Sequence, residues 1–149
     1  MKNLKVAAVA SAGGHWVQLL RLTPAWEGAR VFYITTAEGA QSVDGGPVLR
    51  VADANRWDKL KLVKMFLQVL VIVLRERPDV VITTGAAPGL AAIAAGRLVG
   101  ARTVWIDSIA NSEELSGSGK LARRISSLCL TQWEHLAEPG GPSHWGGVL

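Results

Sequence analysis

Pro78-Asp79-Val80-Val81-Ile82-Thr83-Thr84-Gly85-Ala86-Ala87-Pro88-Gly89-Leu90, running on to Val104-Trp105-Ile106-Asp107-Ser108, reads as strand, glycine loop, helix and strand. The start of the chain repeats the plan. Leu4 to Ala10 is a short apolar run of the kind that forms a buried parallel strand, Ser11-Ala12-Gly13-Gly14-His15 follows it, and Trp16 to Leu22 is compatible with a helix. Two such units put two glycine loops on one edge of an open α/β sheet. Ligands bind such sheets outside the carboxyl ends of the strands, where backbone N–H groups at helix N-termini favour anions. Both loops therefore point to a site for a phosphorylated ligand.

Further strands are expected at Arg30 to Thr35, Pro47 to Val51, Arg102 to Asp107 and Ser127 to Gln132, beside Asp79 to Thr84. Their alternation with helical stretches indicates a Rossmann-like, doubly wound parallel sheet. With 149 residues, 49% of them hydrophobic, and a mean hydropathy of +0.24, the chain is expected to form a single domain over residues 1–149. Glu38 to Gly46 reads as a polar, glycine-rich loop, and the serine- and glycine-rich Asn111 to Gly119 as a mobile one. Glu138 to Ser143 is expected to end the regular structure, and the closing apolar Val148-Leu149 to ask for a partner surface.

The net charge of +4 is local, because Arg56 to Arg77 holds six basic and two acidic residues. Within it, the basic approach Arg56, Lys59, Lys61 and Lys64 precedes an apolar body, Met65 to Leu74. That pattern suits a helix at an anionic membrane surface; the apolar body more readily suits a crossover helix buried against the sheet with solvated ends, and both can hold at once. Leu62 to Leu74 is too short and too polar, with Lys64 and Gln68 inside it, for a transmembrane span. The apolar stretch after Lys5 is too short for a signal peptide and makes a good first strand. The single cysteine, Cys129, lies in an apolar run, which indicates a buried thiol in a reducing compartment.

Familiar nucleotide motifs fit poorly. The first loop lacks the spacing and third glycine of a dinucleotide fingerprint, although Glu38 falls where a ribose-binding acid would sit. Gly119-Lys120 has Leu121 after it and Glu114 in place of the first glycine of a P-loop, with no evident strand-to-helix turn around it. His15, His135 and His144 show no ligand spacing, so no metal is expected.

Three places at the loop edge carry candidate chemistry. His15 follows two glycines at a helix N-terminus, where the dipole favours a neutral imidazole; it can face a ligand or act as a cap. Asp107 ends its strand at the same edge and can contact a ligand or cap the turn through Asp107-Ser108. Gln132-Trp133-Glu134 offers an aromatic between an amide and a carboxylate, which suits a sugar face or a strand end packed on an amphipathic Trp.

The ordered set formed by Ser11 to His15, Leu19-Leu20-Arg21-Leu22, Arg77 to Gly89, Asp107-Ser108, Ser118-Gly119-Lys120-Leu121, Gln132-Trp133-Glu134 and Trp145-Gly146-Gly147-Val148-Leu149 resembles the family of asparagine-linked glycosylation protein fourteen and its bacterial exopolysaccharide relatives. That family is similar to the N-terminal, acceptor-binding half of GT-B glycosyltransferases. The resemblance implies a peripheral subunit at the cytoplasmic face of the inner membrane, with a donor-binding glycosyltransferase subunit on a separate chain. It further implies an inverting transfer from a UDP-sugar to a polyprenyl-pyrophosphate-linked saccharide in polysaccharide biosynthesis. Carried over, Gly13, Gly14 and His15 match the first acceptor loop, and Gly85, Pro88 and Gly89 the second. The expected acceptor-binding set also includes Thr84, Ser108, Gln132 and Trp133. His15 is then the first candidate base, with Asp107 and Glu134 as alternatives; no cofactor and no nucleic-acid partner are expected. The opening loop is one residue longer than the usual Ser-Gly-Gly-His, and the eukaryotic members' N-terminal membrane helix is absent from this sequence. Two rival readings are a self-contained Rossmann-type nucleotide-binding enzyme and a scaffold that only anchors its partner.

Overall fold

The computed structural model describes residues 3–55 and 57–148. Its centre is a parallel sheet of seven strands in the order β3-β2-β1-β4-β5-β6-β7. The strands are β1 (Lys5–Ala10), β2 (Arg30–Thr35), β3 (Val48–Arg50), β4 (Val80–Thr83), β5 (Arg102–Ile106), β6 (Leu128–Thr131) and β7 (Ser143–His144). The helices are α1 (Gly14–Arg21), α2 (Lys59–Glu76), α3 (Ala87–Leu98) and α4 (Gly117–Ile125), with short 3-10 turns at Thr23–Trp26 and Glu134–Leu136.

The chain starts in the middle of the sheet, winds outward through β2 and β3, and returns through α2 to β4 on the other side of β1. Strand order therefore reverses between β1 and β4, which pair in register from Val6↔Val80 to Val9↔Thr83. Their carboxyl ends open side by side at the switch point, where such sheets place ligands.

Alternation along β1 builds two cores. Ala7 and Val9 face one side with Phe32, Ile34, Val81 and Trp105, under α2, α3 and α4. Val6, Ala8 and Ala10 face the other with Tyr33, under Trp16, Leu19 and Trp26. The first face is closed tightly. A Cβ on Gly96 would stand 2.8 Å from Val81 Cγ2 and 3.0 Å from Thr103 Cγ2, so the small residues of α3 are what let it lie close on β4 and β5. Helix α2 adds Met65, Val69 and Val73, each worth about 1.5–3 kcal/mol on full burial. It begins at an Asp58 N-cap that accepts from Lys61 N at 3.1 Å, and ends at Arg77 in the left-handed region just before Pro78. On the second face the fully buried strand residues lie on β1 and β2, with Val48, Val80 and Ile82 partly buried beside them. Ile82, Val104, Leu128 and Leu130 floor an apolar groove of about 420 Å³ between Leu22 and Trp26 on one wall and Trp145 to Val148 on the other.

Three expectations change. The tail does not end regular structure at Ser143: Ser143 pairs with Leu130 and His144 with Thr131, adding β7 at the sheet edge. The Asn111–Gly119 segment is fastened rather than loose, because Ser116 bonds Asp107 and caps α4 through Gly119 N at 2.9 Å. Gly119 and Lys120 do stand in the first turn of a helix that follows a strand, so only the missing glycine and hydroxyl residue exclude a P-loop. Among the described residues no helix is long and apolar enough to cross a membrane.

Candidate functional site

Loop one leaves β1 at Ser11 and turns into α1 at Gly14. Gly13 takes φ +77° and ψ −137°, a conformation that an L side chain resists. A Cβ at Gly13 or Gly14 would meet nothing within 4 Å, so both face open space. No side chain caps α1 and no acidic residue lies in its first turn, which leaves the N–H groups of that turn to an incoming anion. Ala12 N donates to Thr36 Oγ1 at 3.1 Å, and Ser11 N to Gly85 O at 3.2 Å, tying the loop to β2 and to loop two.

Loop two leaves β4 at Thr84 and enters α3 at Ala87, again without a side-chain cap or an acid in the first turn. Here the glycines have no room. At Gly85, with φ +118°, a Cβ would come within 2.9 Å of His15 Nδ1; at Gly89 it would overlap Thr83 Oγ1. Thr83 Oγ1 also accepts from Gly85 N at 3.1 Å. The buried Pro88 occupies the first turn, where its missing N–H costs nothing.

His15 joins the loops. Its Nδ1 lies 2.9 Å from Thr84 O, and Thr84 Oγ1 donates back to His15 O at 2.6 Å. A carbonyl can only accept, so Nδ1 carries the proton, and the neutral ring has its lone pair on Nε2. A half-buried imidazole with its tautomer fixed this way, between two uncapped helix N-termini, can take a proton from a hydroxyl while nearby N–H groups hold negative charge.

The other two candidates for a base stand differently. Asp107 is 1% exposed and accepts from Trp105 Nε1 at 3.0 Å and Ser116 Oγ at 2.7 Å on one oxygen, and from Ser116 N at 3.0 Å on the other. Its carboxylate is turned into the fold and organises the loop from β5 to α4. Glu134 is exposed at the start of the 3-10 turn after β6, two strands beyond β4 and so about 10 Å along the sheet from it.

Between them runs a buried amide relay in which Gln18, which the sequence did not single out, is the hub. Its Nε2 donates to Ser108 Oγ at 3.2 Å, and its Oε1 accepts from Gln132 Nε2 at 2.7 Å and from Ile109 N at 3.3 Å. Gln132 Nε2 also reaches Asp107 O at 2.9 Å, while its Oε1 accepts from Val148 N at 2.7 Å. Ser108 and Gln132 are therefore positioning residues, 8% and 6% exposed, that fix the ends of β5 and β6 to α1. Trp133 is half-buried, with its indole N–H on Ile109 O at 2.7 Å. The one signal for Gln18 was an amide inside the apolar run Trp16 to Leu22, one helical turn after His15.

Cys129 is no nucleophile here: burial, with the Asp107 charge nearby, pushes its thiol up to about 11. Among the described residues no group of His, Cys, Asp and Glu could hold a metal ion. Lys59, Lys61 and Lys64 stand exposed on the first two turns of α2; Arg56 lies outside the described residues.

Comparison with solved structures shows the same fold at low identity. MurG of Acinetobacter baumannii superposes with a TM-score of 0.76 at 14% identity, over 95% of this chain and 45% of that one. The UDP-N-acetylglucosamine 2-epimerase of Rickettsia bellii gives 0.69 at 13% identity, over 89% and 40%. The UDP-GlcNAc 2-epimerase of Neisseria meningitidis, solved with UDP-GlcNAc bound, gives 0.64 at 10% identity, over 87% and 40%. The chain thus spans less than half the length of each, and its sheet is that of the N-terminal half of the GT-B glycosyltransferase fold. No curated protein matches it. A family profile does, over residues 50–149, and by that match the chain belongs to the family described as oligosaccharide biosynthesis protein Alg14 like.

Proposed function

We propose that this glycosyltransferase-related protein of oligosaccharide biosynthesis is the acceptor-binding, membrane-associating half of a two-chain inverting glycosyltransferase. The donor would be a UDP-sugar bound by a separate subunit, and the acceptor a polyprenyl-pyrophosphate-linked saccharide of bacterial polysaccharide synthesis, met at the cytoplasmic face of the inner membrane. The observation that carries the reading is the His15–Thr84 bond, which leaves Nε2 free to accept a proton between two uncapped helix N-termini. In the transfer, the acceptor hydroxyl oxygen bonds to the anomeric carbon, its proton passes to His15 Nε2, and the bond to UDP breaks with the electron pair leaving on the diphosphate. First-turn N–H groups of α1 and α3 hold the acceptor pyrophosphate, beside Thr84 and Gly85, and Trp133 offers an aromatic surface to the sugar. Asp107 drops out as the base because its oxygens are committed, whereas the exposed Glu134 beside Trp133 stays the alternative to His15.

The two-chain reading is supported by membership of the Alg14-like family, whose resemblance implies a donor-binding subunit on a separate chain. Its test is to assay the purified chain with UDP-sugar and lipid-linked acceptor, alone and mixed with a candidate donor-binding subunit. Turnover only in the mixture supports the reading. Turnover by the chain alone, or tight UDP-sugar binding to it in calorimetry, favours a self-contained nucleotide-binding enzyme and contradicts it.

A further inference from the structure

Buried amides fix the polarity of one hydroxyl at the loop edge. Gln132 has a single possible orientation: its Nε2 faces Asp107 O, which can only accept, at 2.9 Å, and its Oε1 faces Val148 N, which can only donate, at 2.7 Å. The second N–H of Gln132 then points at Gln18 at 2.7 Å, and Ile109 N points there at 3.3 Å. The Gln18 atom that meets two donors is its oxygen, which leaves the Gln18 amide N–H for Ser108 Oγ at 3.2 Å. Ala110 N donates to the same Oγ at 3.2 Å. Both lone pairs of Ser108 are thereby filled, and its hydroxyl can act only as a donor. Among the described residues no acceptor takes that proton. At 8% exposure the group is costly to leave unpaired, so the open proton marks a contact that the protein does not itself make.

Its position says what makes the contact. Ser108 follows β5, one strand spacing of about 5 Å beyond the end of β4 that carries loop two. On its other side stands Trp133 at the end of β6, whose indole N–H holds the next carbonyl, Ile109 O, at 2.7 Å. A pyrophosphate at the first turns of α1 and α3 would therefore lie on one side of Ser108, with the aromatic ring on the other. In a lipid-linked acceptor the group that spans this gap is the sugar on the pyrophosphate. A phosphate at Ser108 itself is disfavoured, because the buried carboxylate of Asp107 is the preceding residue. We infer that Ser108 donates a hydrogen bond to a neutral oxygen of the acceptor's proximal sugar, and that Gln18 is the positioning residue that keeps the Ser108 proton free for it. A carboxylate at position 18 would reverse the polarity and take that proton inward. Gln18 stands one helical turn after His15 on α1, so one helix carries both the base and the group that sets the sugar contact. This inference rests on the acceptor-binding part of the proposed function and specifies the side chain that reads the sugar.

The test is calorimetry on the whole chain, without donor or partner, with farnesyl pyrophosphate either bare or carrying N-acetylglucosamine or glucose. Wild type is expected to bind at least one sugar-bearing lipid more tightly than the bare one. On that lipid Ser108→Ala should lose about three- to tenfold in affinity, the range for one uncharged hydrogen bond, while staying within about twofold of wild type on bare farnesyl pyrophosphate. Gln18→Glu, assayed at about pH 8 to keep its carboxyl ionised, sets an acceptor oxygen against Ser108 Oγ and should lose the same increment. The double variant should lose no more than either single one, because both remove the same proton. A Gln18 that only held the fold together would instead weaken every lipid alike and add to the loss from Ser108→Ala. Where Ser108→Ala fails to fold, since alanine leaves the Gln18 N–H unpaired, Gln18→Glu carries the test. Unchanged binding of the sugar-bearing lipid in these variants overturns the inference. So does an equal loss on bare farnesyl pyrophosphate, which moves the contact to phosphate, and so does a wild type indifferent to the sugar. Wild type that binds none of the lipids contradicts the acceptor-binding reading itself, and the inference falls with it.

Discussion

The two glycine loops look alike in sequence and serve different physical needs. In loop one, a Cβ at Gly13 or Gly14 would meet no neighbouring atom, and only the positive φ of Gly13 resists a side chain there. In loop two, Gly85 and Gly89 are pressed against His15 and Thr83, and the protein itself fills the space a Cβ would take. Glycine in the first loop lets something approach from outside. Glycine in the second lets the two halves of the site lock together. The same residue type therefore leaves open space at one loop and permits internal assembly at the other.

Alanine substitutions sharpen the contrast. Gly89→Ala is expected to have the largest effect on folding, because the new methyl overlaps Thr83 Oγ1 beneath α3; overpacking of this kind costs about 1–3 kcal/mol, read by urea denaturation. Gly85→Ala comes next, with about 1–2 kcal/mol from the positive φ and an additional loss of turnover in the reconstituted pair as the His15 ring is displaced from Thr84 O. Gly13→Ala should cost about 1 kcal/mol from its φ of +77° alone, with no clash. Gly14→Ala should leave stability within about 0.5 kcal/mol of wild type and still weaken acceptor binding, measured by titration with a lipid-linked acceptor analogue. If Gly14→Ala unfolded the protein, or Gly89→Ala left it unchanged, the two loops could not be told apart in this way.

The strands were legible because parallel strands buried in a sheet appear as short apolar runs: β2 was found at its observed ends, and β1, β3, β4, β5 and β6 to within one residue. Strand β7 was not, since its two residues, Ser143 and His144, carry no apolar pattern and pair only with Leu130 and Thr131. The candidate site was legible as an edge. Which strand-end side chains point outward was not, because that depends on partners far along the chain. Asp107 turns inward because Ser116 and the Trp105 indole meet it, and Gln132 because Gln18, 114 residues away, accepts from it. The outer face of α2 was hidden in a run apolar on nearly every side, where sequence alone does not show how much of it the sheet covers.

His15 is where the account is most exposed to test. Substitution by alanine or glutamine, assayed as turnover of the reconstituted pair with partner binding and circular dichroism measured alongside, separates a base from a structural clamp. If Nε2 takes the acceptor proton, both variants should lose about 10²- to 10⁴-fold in kcat while still folding and binding the partner. Turnover within about threefold of wild type in both variants would contradict the assignment and move the base to Glu134 or to the partner chain.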